Sequence, residues 1–316
     1  MSEKNFPKIS VIIPMYNSEK FIGECLDSVF VQTFQDFEII VVDNCSTDKS
    51  CEVVENYVKN FGEKIKLIRK NFNSGSAGDS NNIGFKNSCG EYIFFMESDD
   101  LITKTAFEEF YNISEKFDTD VITFEKTYVV KGNGKISDLP IHIATPTKIN
   151  CVNEPTWVSE NISEKIKELG EYKFMWPVWT KFIKRDCILE NNLEWINVLH
   201  FDLIYTTCLI CAAKKILRVP NIININRLRD DSLSHKQEDI EKTIIGKFGT
   251  LIRGVEYMDK FFDNLEDFKN RKDLKYMAFD VVVKDMTNFL LEIYTKVPAY
   301  QIDEILRNEL GRVGKV

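Results

Sequence analysis

Residues 92–100 read YIFFMESDD, five apolar residues followed directly by an acidic run. So short an apolar stretch, with no helical spacing, fits a strand covered on both faces, as strands of a parallel sheet are. Residues 8–14 (KISVIIP) and 38–42 (EIIVV) have the same character, and residues 66–69 make a shorter run. Between these runs the period changes. Phe21, Ile22, Cys25, Leu26, Val29 and Phe30 predict a helix over 18–32. Further helices are predicted over 46–61, with Ser46 or Thr47 as cap, and over 81–88. Strands alternating with helices define an α/β chain with a Rossmann-like, mostly parallel sheet flanked by helices and joined by right-handed crossovers. In such sheets ligands bind beyond the carboxyl ends of the strands. Polar clusters at 14–17, 43–48 and 97–100 each follow a predicted strand, so they should meet at one sheet edge.

Downstream the spacing predicts a helix over 105–117, a strand over 120–127 and a surface hairpin or flap within 132–155. A helix over 163–169 and a second ordered unit at 175–184 and 203–213 follow, with a short strand at 222–225. From about 238 onward the pattern is helical, with Ile244, Phe248, Leu251 and Ile252 on one face. The expected organisation is a catalytic domain over 1–237, divided into halves 1–127 and 128–237, and a helical C-terminal extension over 238–316. Aromatic residues in that extension can pack on the catalytic domain, build a homodimer or rest on a membrane surface. Acids interspersed among its basic residues weigh against the membrane.

Composition narrows the function. Of 316 residues, 44% are hydrophobic and 28% charged, a balance that supports a packed core. The net charge of −8 argues against a nucleic-acid binder, which must neutralise phosphates. Residues 1–8 lack the apolar core of a signal peptide, and no stretch approaches the roughly 20 apolar residues of a membrane span, so a soluble cytoplasmic protein is expected. The eight cysteines are then expected as free thiols. Cys208 and Cys211 form a CxxC inside an apolar helical run, and no second pair accompanies them as a zinc site would want.

Clustered carboxylates such as Glu97, Asp99 and Asp100 repel one another unless a cation or donors offset them. Hard oxygen ligands at a strand end suit Mg²⁺ or Mn²⁺, which commonly bridge carboxylates to substrate phosphates. The plainer reading is a solvated cap ahead of the next helix. GxGxxG and GxxxxGK[ST] loops are missing after the first strand, which excludes the usual dinucleotide and P-loop sites.

These stretches resemble the family 2 glycosyltransferases of the GT-A fold. The resemblance is carried by VIIPMYNSEKFIGECLDSVFVQTFQDFEIIVVDNCSTDKS (11–50) and NSGSAGDSNNIGFKNSCGEYIFFMESDD (73–100). It implies transfer of a sugar from a nucleotide-diphosphate donor, with a UDP-sugar favoured, to a glycan, glycolipid or lipid-linked acceptor. By that resemblance Pro14, Tyr16, Asn17 and Glu19 line the nucleotide pocket, joined by Ser46 and Asn82, and Asp43 accepts a hydrogen bond from the base. Glu97 and Asp99 match the acids of the Asp-x-Asp motif, with Ser98 between them. Asp99 would hold Mn²⁺ or Mg²⁺, and Glu97 would reach the ribose or the metal indirectly. Asp100 matches a frequent extra acid. Three positions depart from the pattern: Glu97 is one methylene longer than Asp, Asn44 stands where a second Asp is usual, and Asn81 stands where an Arg is frequent. Asp79 and Asn81 are candidates to share that arginine's role.

The second half resembles the family more loosely. WPVWTKFIKRDCILENNLEW (176–195) is similar to its aromatic-rich strand and helix on the acceptor side. Asp202 then matches the acid that serves as general base, with Phe201 where a Glu is usual. A carboxylate can take the proton of an attacking hydroxyl, although Asp202 also suits a helix N-cap. RLRDDSLSH (227–235) looks like the family's arginine loop. It implies Arg227 and Arg229 on the diphosphate and His235 on the metal or diphosphate. His142 and His200 belong to no motif. The resemblance implies an inverting displacement. Its rivals are a non-catalytic nucleotide-sugar binder and a sugar nucleotidyltransferase; the latter would want a glycine-rich loop with Arg and Lys where Pro14-Met15-Tyr16-Asn17 stands.

Overall fold

The computed structural model describes residues 6–144, 151–198, 200–229 and 240–294, together with 304 and 307. Along the chain run β1 (Ile9–Met15), α1 (Ile22–Phe30), β2 (Phe37–Asp43), α2 (Ser50–Phe61), β3 (Ile65–Arg69), α3 (Gly78–Lys86) and β4 (Tyr92–Phe95). Then come β5 (Leu101–Ile102), α4 (Ala106–Phe117), β6 (Val121–Phe124), β7 (Thr127–Lys131), β8 (His142–Ala144), β9 (Thr156–Trp157) and α5 (Ile162–Gly170). The remainder is β10 (Lys181–Lys184), α6 (Arg185–Glu190), α7 (Phe201–Ala212), β11 (Ile216–Val219), β12 (Asn224–Leu228), α8 (Ile240–Asp263) and α9 (Lys272–Tyr294).

Among the described residues the main sheet has eight strands in the order β3-β2-β1-β4-β10-β6-β11-β9. The β3-β2-β1-β4 block is parallel, as are β6 and β11, whereas β10 runs antiparallel between β4 and β6. The mostly parallel α/β sheet expected from the sequence is therefore present. Its strands alternate between two cores. Val11, Ile13, Phe94 and Met96 pack with α1, α2 and α4, whereas Ile12, Ile93 and Phe95 pack with α5, α6 and α7. This two-sided burial explains why β1 and β2 are buried at every position. Gly84 lets α3 lie directly on β1, because a Cβ there would overlap the side chain of Ile12.

A second, four-stranded sheet has the order β5-β12-β7-β8. It revises two sequence expectations. The strand expected over 120–127 breaks at Glu125, whose carboxylate pairs with Arg218 of β11, and β7 then crosses to the second sheet. The strand expected over 222–225 is displaced to Asn224–Leu228, so Arg227 lies within it rather than in a loop. The flap expected within 132–155 is in part the β7–β8 hairpin, with residues 145–150 outside the described set.

Helices α8 and α9 pack on the body of the protein. Met258, Phe261, Phe262, Phe268, Leu274 and Val282 share one apolar cluster with Leu203, Cys208 and Ile166. Gly254 permits the close crossing of α8 over α7, since a Cβ there would collide with Ile204. Among the described residues no helix is long and apolar enough to cross a membrane.

Candidate active site

The register sets Met15 beside Asp43 and Phe95 beside Ile12, so the ends of β1, β2 and β4 adjoin. Their loops are tied together by hydrogen bonds. Asn17 adopts a left-handed φ of 48°, its N–H donates to Ser46 Oγ (2.9 Å), and its Oδ1 accepts from Thr47 N–H (2.8 Å). Glu19 N–H donates to Asp48 (3.0 Å), and Lys49 N–H donates to Glu19 (2.9 Å). Ser46 N–H donates to Asp43 Oδ1 (3.1 Å). Ser18 Oγ meets Ser98 Oγ at 2.7 Å, which joins the first loop to the acidic turn. Pro14 is buried within β1, and Tyr16 stands 45% exposed at the rim. Because Ser46 locks this crossing, it does not cap α2; the helix starts at Ser50, whose N–H donates to Asp48 (2.9 Å).

The three acids of the turn differ in their surroundings. Asp100 is fully buried. It accepts from Arg227 N–H (2.9 Å), Asn226 Nδ2 (3.1 Å) and Asn224 Nδ2 (3.2 Å), all from β12. Burial first, and Asp99 second, push its carboxyl up to about 7. Asp99 pairs through Oδ2 with Arg229 Nε at 2.7 Å and keeps part of its surface open. Burial also raises Asp99, against the pull of Arg229. Glu97 is raised well above the usual carboxylate range by burial, then by Asp99, Asp202 and Asp100.

Arg227 is placed differently from the sequence expectation. Its guanidinium donates to Asp99 O (3.2 Å), Gly134 O (2.6 Å) and Glu24 Oε2 (2.6 Å), and its side chain is fully buried. Arg227 therefore braces the acidic turn from behind. Arg229 is the arginine beside Asp99, with its guanidinium 4.7 Å from the Phe21 ring centre.

Asp202 lies in the first turn of α7 but is not its cap; His200 holds that position. Its Oδ1 accepts from Val178 N–H (3.2 Å), outside its own helix. Burial pushes its carboxyl up to about 7, against Val178 N–H and the charge of Lys181. Asp202 also contributes to raising Glu97, so the two acids are near enough to repel one another. Sequence reasoning passed over Lys181, Asn224 and Asn226. The asparagines carried a signal, alternate polar positions on one face of a strand.

Asn82 makes a two-way amide clamp on the backbone of Trp195, donating to its O (2.8 Å) and accepting from its N–H (2.9 Å). It fastens the first half of the chain to the second rather than pointing at the strand ends. Lys70 bridges Asn44 Oδ1 (2.7 Å) and Asp79 (2.6 Å), so Asn44 and Asp79 share one buried cation. His235 lies outside the described residues. His142 is exposed on β8, and burial pushes His200 down to about 4. Cys208 and Cys211 are buried in α7, their thiols pushed up by burial.

Among the described residues no three acidic, histidine or cysteine groups form a ready-made cage for a metal ion. The donor set nevertheless suits a hard divalent cation shared with a substrate. Asp99 offers a partly exposed oxygen, and burial first, then for Glu97 its acidic neighbours, raise the carboxyls of Glu97 and Asp99, a cost that a cation would offset. A raised carboxyl binds a proton more readily in the folded than in the unfolded chain. Stability is then lost as pH rises through the folded value. In metal-free, donor-free protein, Glu97→Gln should melt above the wild type near about pH 8, and the gap should close toward about pH 5. Each kcal/mol is worth about 2–4 °C. Equal melting temperatures near about pH 8 would contradict the electrostatic reading of the cluster.

A doubly covered, mostly parallel sheet with an acidic turn at its centre and a second acid on the facing helix is the GT-A arrangement of glycosyltransferases. The sequence profile of glycosyl transferase family 2 matches residues 10–177, more than half of the chain, and the chain belongs to that family. A poly(ribitol-phosphate) beta-glucosyltransferase of Bacillus spizizenii is 43% identical over 129 residues, covering 40% of this chain and 20% of that protein. The crystal structure of S. aureus TarS 1-349 superposes with a TM-score of 0.69 at 20% identity, covering 96% of this chain and 79% of that one. Its complex with UDP-GlcNAc gives 0.64 at 22% identity, covering 82% and 67%. The chain spans 20%, 53% and 55% of the lengths of the first curated relatives it matches.

Proposed function

We propose that this chain is an inverting glycosyltransferase that moves a sugar from a nucleotide-diphosphate donor, a UDP-sugar, to a hydroxyl of a glycan or lipid-linked acceptor. The observation that carries this reading is the acidic turn tied to the joined ends of β1 and β2, with Asp202 of α7 held by Val178 N–H as an acid from a separate helix. The beta-glucosyltransferase relative, and the UDP-GlcNAc complex of a protein of the same fold, support the donor class and a glycan acceptor. Asp43, behind Tyr16 and Asn17, accepts from the base. Asp99 would hold Mn²⁺ or Mg²⁺, and a cation there neutralises charge that develops on the leaving diphosphate. Arg229 adds a second positive group beside it.

Asp202 takes the proton of the acceptor hydroxyl as its oxygen bonds to the anomeric carbon. The bond to the diphosphate oxygen breaks on the opposite face, and the nucleoside diphosphate leaves with the electron pair. Proton NMR of the sugar product formed from α-linked UDP-glucose or UDP-GlcNAc tests this scheme. The first-formed anomer should be β. An α product would exclude the single displacement, and donors left untouched in the presence of Mn²⁺ would favour a non-catalytic binder.

A further inference from the structure

The loop before β10 has its polar backbone groups occupied in an unusual way. Lys181 is fully buried, and its ammonium donates to Met175 O (2.6 Å), Pro177 O (3.0 Å) and Thr180 Oγ1 (2.9 Å). Thr180 Oγ donates to Pro177 O (2.6 Å), and Thr206 of α7 donates to Trp176 O (2.6 Å). These bonds fix the Pro177–Val178 peptide, whose N–H is the donor that holds Asp202 (3.2 Å). A lysine taken wholly out of water loses hydration that carbonyl and hydroxyl acceptors restore only in part. A structural pin alone has no need of its charge.

We propose that Lys181 is the positioning residue of the catalytic base: it holds the Met175–Thr180 turn that aims Val178 N–H at Asp202, and it supplies the positive group on that side of the base. This rests on the assignment of Asp202 as base. The charge of Lys181 lowers Asp202, and Asp202 in turn raises Lys181, which burial otherwise pushes down to about 7. Glu97, in the turn after β4, is the acid that Asp202 in part raises. Without Lys181 the balance tips toward protonated Asp202.

The test is the pH profile of kcat/KM for a UDP-sugar in Lys181→Gln and Lys181→Arg, with melting temperatures to verify folding. Glutamine keeps a donor without charge, and arginine keeps the charge. Lys181→Gln should move the acid limb to higher pH by about one unit, a tenfold loss near neutrality that largely recovers under alkaline conditions. Donor KM should change little, and Lys181→Arg should hold the acid limb where it stands. A folded Lys181→Gln variant whose profile superposes on the wild type overturns the proposal. So does a loss of activity that is equal at all pH values. Asp202→Asn, measured alongside, separates the two readings. Retained activity there removes the base itself, whereas an inactive Asp202→Asn with an unshifted Lys181→Gln removes only the role of Lys181.

Discussion

Asp202→Asn lowers kcat by about 10²–10⁴-fold while donor affinity stays nearly unchanged. The substitution is close to isosteric, and an amide oxygen can still accept the Val178 N–H that now reaches Oδ1. Asp202 does not cap α7, so losing its charge in the first turn costs that helix about 0.3–1 kcal/mol at most. The main loss is the capacity to take a proton. The pH profile carries the same information. A base must be deprotonated to act, and burial holds this one up at about 7. For the wild type, kcat/KM should therefore rise with pH through neutrality, and the residual rate of Asp202→Asn should lack that limb. Steady-state kinetics between about pH 6 and about pH 9 measure both. Wild-type turnover in Asp202→Asn would remove the base assignment.

Asp99→Asn has the second large effect, on metal-dependent donor binding rather than on proton transfer. Asp99 is partly exposed and is the acid of the turn paired with Arg229. An amide supplies a neutral oxygen, so a divalent cation held there would lose its charged anchor. A fall in kcat/KM of about 10²–10³-fold follows if one electrostatic contact to the leaving group is lost. Asp100→Asn would be a poor probe of the same idea. Its carboxylate is spent on Asn224, Asn226 and Arg227 N–H, so that change perturbs the seam between the acidic turn and β12, beside the β5–β12 pairing.

Much of this was legible in the sequence. Runs such as VIIPM and YIFFM are buried on both faces, so their shortness, set against the helical spacing between them, separated strands from helices, and the polar clusters at their ends were expected to meet. Less legible was the division of labour within the site. Arg227 and Arg229 look equivalent on paper. Two apart, they share one side of the chain, and both guanidiniums lie over the Phe21 ring at 4.9 and 4.7 Å. What separates them is that Arg227, inside β12, is turned to Glu24 and Gly134, whereas Arg229, just past the strand's end, pairs with Asp99. Asn82 reads as a nucleotide contact by its motif, yet it clamps Trp195, 113 positions away in the chain. Lys181 stood inside the stretch that resembles the family's aromatic-rich strand, but nothing gave it a role until its carbonyl acceptors were seen.

The central claim is that the acidic turn after β4, with the ends of β1 and β2, grips a sugar donor's diphosphate through a divalent cation held by Asp99. Isothermal titration of UDP-glucose or UDP-GlcNAc into wild type and Asp99→Asn, each with and without Mn²⁺, tests it most directly. The account predicts binding to the wild type that is much tighter with Mn²⁺, and an Asp99→Asn variant for which the metal makes little difference. Equal Mn²⁺ dependence in both proteins would contradict it.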